Sequence, residues 1–89
     1  MITVFLATGF EEIEAIAPVD IMRRAGLDAR IVSIEDSLVV KGTHGIPVQA
    51  DMMLDQVDFS QVELMVLPGG LPGATNLDAC APLREVLEK

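Results

Sequence analysis

Ile2-Thr3-Val4-Phe5-Leu6-Ala7, running through Thr8-Gly9 into a helical stretch over about residues 11–25, decides the fold of this 89-residue chain. The run carries no charge and is mostly β-branched or aromatic, the pattern of a strand covered on both faces, as parallel sheets require. The helix that follows closes at Gly26, which suits a left-handed C-terminal position, and Arg23 and Arg24 oppose its dipole in the last turn. Thr8-x-x-Glu11 reads as a capping box at its start. Residues 29–34 read as a second buried strand. Residues 37–51, broken by Gly42, Gly45 and Pro47, suggest a small hairpin or edge excursion. Residues 55–61 read as a polar connector with a short helical turn. Residues 64–67 are again a solid apolar strand, ending at Pro68-Gly69-Gly70, and residues 78–89 have helical spacing. Strand, helix, strand, excursion, strand, helix is the order of an open α/β sheet. Right-handed crossovers place the first strand between the second and the last.

Composition narrows the function classes. A chain this short buries only about 60–65% of its unfolded surface, so it is one domain at most, and help from outside the chain is expected. Fourteen acidic against six basic residues give a net charge of −8. That balance opposes nucleic-acid and anionic-membrane surfaces, which need clustered Lys and Arg. The apolar runs stop well short of the ~20 residues of a spanning helix, and the first ten residues have no basic region ahead of them, so neither a signal peptide nor an anchor is read. A single Cys and a single His supply no disulfide framework and no soft metal site, and the usage fits a cytoplasmic, reducing compartment.

Ligands in such sheets sit beyond the carboxyl ends of the strands. Two loops leave such ends, 8–11 and 68–73. On a helical wheel Glu14 falls at the centre of an arc formed by Ala17, Pro18, Ile21 and Ala25, with Glu12, Val19 and Arg23 opposite. Glu14 is therefore expected on the buried face. There it serves either as a proton donor near an anion or as a partner for backbone amides at the helix start. Pro18 inside the helix implies a kink or a later start, and apolar Ile16 and Val19 suggest a helix covered on more than one side. Gly69 and Gly70 either let bare N–H groups face an oxyanion or simply make a sharp turn. Their loop lacks both the G-x-G-x-x-G and the P-loop pattern, which leaves nucleotide binding weakly supported. His44, between Gly42 and Gly45, has a turn-like, exposed setting. Cys80, beside Asp78, reads as structural, because an acidic neighbour raises a thiol pKa.

Residues 7–15 (ATGFEEIEA), 18–26 (PVDIMRRAG) and 66–70 (VLPGG) together resemble the ThiJ/PfpI superfamily of class I glutamine amidotransferase-like proteins, nearest its deglycase and ThiJ-like chaperone group. The resemblance implies a flavodoxin-like parallel sheet sandwiched by helices, of which residues 1–89 supply the N-terminal half. It also implies a homodimer with the first helix at the interface. In that family a cysteine thiolate on a strand-to-helix elbow is the reactive centre. Glu14 matches the glutamic acid that hydrogen-bonds to it, Gly69 and Gly70 match the oxyanion-binding amides, and His44 matches, more loosely, a polar residue near pocket and interface. The elbow Ala-x-Cys motif and its downstream histidine are absent from residues 1–89, and Cys80 does not correspond to the nucleophile. The implied activity is that of a protein acting on glyoxal-type aldehydes or their protein adducts, or a redox-linked chaperone, without a cofactor or metal, with the nucleophile supplied by a companion C-terminal half. The alternative is a non-catalytic family member that self-associates as an interaction module.

Overall fold

The computed structural model describes residues 1–69. Its strands are β1 (Ile2–Leu6), β2 (Ala29–Ser33), β3 (Val39–Lys41), β4 (Pro47–Gln49), β5 (Met52–Met53) and β6 (Leu64–Val66), with one helix, α1 (Glu12–Arg24), between β1 and β2. Four strands form a parallel sheet in the order β5-β2-β1-β6, so β1 lies between β2 and β6 as the crossover rule predicts. In register, Ile2 faces both Ala29 and Leu64, and Val4 faces both Ile31 and Val66. β3 and β4 form the expected excursion, a separate antiparallel hairpin pairing Val40 with Val48. β5 was not foreseen, because two residues are too few to show a period. The connector contains two 3-10 turns, Leu54–Gln56 and Phe59–Gln61.

Because successive side chains of a strand point to opposite faces, β1 feeds two cores. Val4 and Leu6 pack with Ile31, Phe10, Ala15, Val19, Val40 and Ala50 under α1 and the hairpin. Phe5 and Ala7 pack with Val32 on the other face, closed by Met52, Leu54, Val57 and Phe59. There the Phe5 and Phe59 rings stack with centroids 6.4 Å apart. This two-sided cover is the reason for the uncharged, mostly apolar run in β1.

Two details of α1 differ from expectation. No capping box forms: Glu11 is itself the N-cap, its carboxylate accepting from the Ile13 amide at 3.0 Å, while the Thr8 amide donates to Glu35 at 2.8 Å. The buried face is also the opposite one. Glu12, Ala15 and Val19 are buried, whereas Glu14, Ala17 and Ile21 are exposed. The helix carries apolar residues on both arcs, so periodicity alone did not reveal which arc the sheet covers. The exposed arc holds Ile13 at 74% and Ile21 at 66% exposure. Pro18 sits within the continuous helix. The C-terminus follows expectation: Gly26 has φ +81°, its amide bonds the Arg23 carbonyl and the Leu27 amide bonds Met22, a Schellman closure. Arg23 then ties the helix to the sheet edge through Asp51 at 2.7 Å, and the same Asp51 oxygen accepts from the Ile31 amide.

Candidate functional site

The site is built at the carboxyl ends of β1 and β6. The chain leaves β1 through Gly9, whose φ of +88° a side-chain-bearing residue rarely adopts. It then buries Phe10 and enters α1 at Glu12. This loop is bonded on both flanks. On one side the Gly9 amide donates to the Lys41 carbonyl at 2.9 Å and the Thr43 amide to the Phe10 carbonyl at 2.8 Å, which fastens the hairpin. On the other, the Glu11 amide donates to the Gly69 carbonyl at 2.8 Å, which fastens the chain leaving β6.

Two residues singled out from sequence therefore meet. The Gly69 amide donates to Glu14 Oε1 at 3.2 Å. That is the long end of the N–H···O range, so the amide is engaged by a bond easily exchanged for another acceptor. A Cβ on residue 69 would lie 2.7 Å from the same Glu14 oxygen, so a side chain there would push the exposed Glu14 carboxylate aside and break this bond. Gly70, Cys80 and the helix expected over 78–89 lie outside the described residues.

The acid that sequence reasoning missed is Glu12. It is nearly inaccessible and sits beneath the turn joining β3 to β4. Its Oε2 accepts from the amides of His44 at 2.8 Å and Ile46 at 3.3 Å, and its Oε1 lies 2.8 Å from His44 Nδ1. Burial pushes this carboxyl up. The His44 ring and the amides of Glu12, His44 and Ile46 outweigh that and hold it at about 2, against an ordinary 4.5. Reciprocally, the ring bond to Glu12, followed by the charges of Glu12 and of Glu11, raises His44 above its ordinary 6.5. The His44 side chain is 65% exposed, as its turn setting predicts, with Glu11 Oε2 3.8 Å from Nδ1. A sequence signal for Glu12 did exist in the glycine two residues before His44. A Cβ at Gly42 would overlap the Glu12 carboxyl.

Ligand atoms of Glu11, Glu12 and His44 lie within 4.8 Å of one another. A cation there would have to displace the N–H donors that already fill both Glu12 oxygens, so the arrangement reads as an ion-paired clasp.

The two shifts fix a pH dependence. A depressed carboxyl contributes stability that is complete above about 4.5 and is lost as pH falls through about 2. A raised imidazole contributes stability that is complete below 6.5 and is lost as pH rises through its folded value. Urea midpoints should therefore be highest between about pH 4.5 and 6.5, with both limbs flattened in Glu12→Gln. Parallel pH curves for the two proteins would contradict the pairing.

The model of the DJ-1/PfpI family matches residues 1–89. This chain belongs to the DJ-1/PfpI family. Protein DJ-1 homolog B of Arabidopsis thaliana is 39% identical over 84 residues, covering 94% of this chain and 19% of that protein. Deglycase PfpI of Pyrococcus furiosus is 36% identical over 64 residues, covering 72% and 38%. The structure of oxidized Toxoplasma gondii DJ-1 superposes with a TM-score of 0.92 at 34% identity, covering 98% of this chain and 47% of that one. The chain thus spans less than half the length of each. The resemblance to ThiJ/PfpI proteins and the flavodoxin-like α/β fold class both stand. Among the described residues no helix is long and apolar enough to cross a membrane.

Proposed function

We propose that residues 1–89 supply the N-terminal half of one DJ-1/PfpI domain that acts on small glyoxal-type aldehydes or their protein adducts, a deglycase or glyoxalase activity, with the reactive cysteine supplied by the companion C-terminal half. The observation that carries this reading is the meeting of Glu14 and the Gly69 amide at the carboxyl ends of β1 and β6, where ligands of open α/β sheets sit. The deglycase name of a relative supports it at family level.

In this mechanism the thiolate adds to the aldehyde carbon, the C=O π pair moves onto oxygen, and the oxyanion takes a proton from water to give a hemithioacetal. Glu14 hydrogen-bonds to the thiolate and lowers its basicity. The Gly69 amide exchanges its long bond to Glu14 for the developing oxyanion, joined by the Gly70 amide. The same half contributes the homodimer interface, which the exposed Ile13, Ile16 and Ile21 of α1 support.

The test is Glu14→Gln in the polypeptide that carries the cysteine, read by thiol alkylation rate and by methylglyoxal consumption. A hydrogen bond to a charged group contributes about 1.5–3 kcal/mol, so both rates should fall about ten- to hundredfold with the fold intact. Rates within twofold of the parent would refute the role of Glu14. Sedimentation of the parent as a monomer at micromolar concentration would remove the dimer.

A further inference from the structure

Glu12 has no part in that mechanism, although it is a buried ionised side chain with three donors on it. Burying a carboxylate is costly unless every lone pair finds a donor, and here the donors come almost entirely from one turn. The His44 amide, the His44 ring and the Ile46 amide all converge on it across 32 and 34 positions of sequence. Gly42 leaves the space that the carboxyl fills. The turn so held belongs to the hairpin that is also bonded to Gly9 and Phe10, and Glu11 of that loop bonds Gly69. Contacts therefore run unbroken from Glu12 through the turn and the loop to Gly69, the partner of Glu14.

We propose that Glu12 is a positioning residue, which clasps the Gly42–Ile46 turn to the start of α1 and holds the His44 ring beside Glu11 at the edge of the site, where it meets a carbonyl or carboxylate oxygen of the ligand. The charged groups facing the ring are Glu12 and Glu11. An imidazolium held between the buried Glu12 and the partly exposed Glu11 is a positive donor at this edge of the site. Such a donor recognises ligand oxygen, and its correct placement matters for binding more than for the chemical step.

The substrate part rests on the function proposed above, and the clasp itself does not. The first arm therefore reads the clasp itself, without substrate, in the polypeptide that carries the cysteine. In the parent, the NMR titration midpoint of His44 should lie above 6.5, and Glu12→Gln should return it toward 6.5 while raising exchange of the His44 and Ile46 amides at least tenfold. Glu14→Gln should leave all three unchanged. If Glu12→Gln does not fold, His44→Gln, which removes an exposed ring, should raise the Glu12 carboxyl midpoint from about 2. An unmoved midpoint in whichever variant folds overturns the clasp.

The second arm uses the same polypeptide with substrate. Glu12→Gln and His44→Gln should each raise KM for methylglyoxal about five- to tenfold with kcat within twofold, and the double variant should match the singles. A fall in kcat at constant KM, or additive effects, overturns the positioning role. Loss of the thiol effect of Glu14→Gln together with a shifted His44 midpoint would refute the proposed function while leaving the clasp in place.

Discussion

Phe10→Ala is expected to cost about 3–5 kcal/mol, the range for emptying a large aromatic site in a core. Total stability for a chain of this length is only about 4–13 kcal/mol, so the loss removes a large share of it. The residue is fully buried among Val4, Leu6, Ala15, Val19, Ile31, Val40 and Ala50, and so fills the space where sheet, helix and hairpin meet. Its backbone does separate work: the amide bonds Ala7 and the carbonyl accepts from Thr43. Those bonds survive the substitution, so the loss isolates the ring. Phe10→Leu, which keeps most of the volume, should cost less than about 1.5 kcal/mol. Urea denaturation followed by circular dichroism measures both. An alanine variant within 1 kcal/mol of the parent would show that the ring is not a keystone of this core.

Gly42→Ala has the second largest expected effect, and its cause is steric. The added Cβ would overlap the Glu12 Cδ and come within 2.6 Å of its Cγ. Such contacts are cheap when the obstacle is the free end of a side chain. Glu12 is not free, because the His44 and Ile46 donors hold its carboxyl. Nor can the turn retreat easily, since the Gly42 amide bonds Ile46 and the Gly45 amide bonds Gly42. A forced shift of a packed group costs about 1–3 kcal/mol, and this one should lie at the upper end. That corresponds to a Tm fall on the order of 10–20 °C for a domain of this size. Gly45→Ala is the control. It meets nothing within 4 Å and suffers only the strain of φ +79°, about 1–2 kcal/mol. Combining Gly42→Ala with Glu12→Ala should cost less than the sum, because the second change makes room for the first. Strict additivity would mean that the two residues do not collide.

Much of the architecture was legible along the chain. The two-sided burial of β1 follows from its uncharged, mostly apolar run, and the end of α1 from Arg23-Arg24-Ala25-Gly26. The hairpin follows from Gly42, Gly45 and Pro47. Each of these rests on local chemistry within a few residues, where steric and hydrogen-bonding rules act without reference to the rest of the fold. The reading of α1 failed for the complementary reason. Ala15-Val19 and Ala17-Ile21 are equally plausible seams, and only the sheet beneath decides between them. Placing Glu12 on the outward face followed from taking the Ala17-Ile21 arc as the buried one; the burial of its carboxylate depends on donors that a distant turn supplies.

The site divides along the same line. Sequence pattern brought forward Glu14, Gly69 and His44, since a loop at the end of a strand and a motif are both visible in one dimension. That Glu14 stands on the exposed arc and receives the Gly69 amide, and that His44 belongs to Glu12, required three dimensions. Fifty-five residues separate Glu14 from Gly69 and thirty-two separate Glu12 from His44. By itself, then, the sequence determined the α/β class, the order of β1 between its neighbours, the family and the short set of residues worth watching. The tertiary structure alone decided which carboxylate is buried and which is offered outward, because the free energy of a charge depends on the donors that folding brings to it from far along the chain.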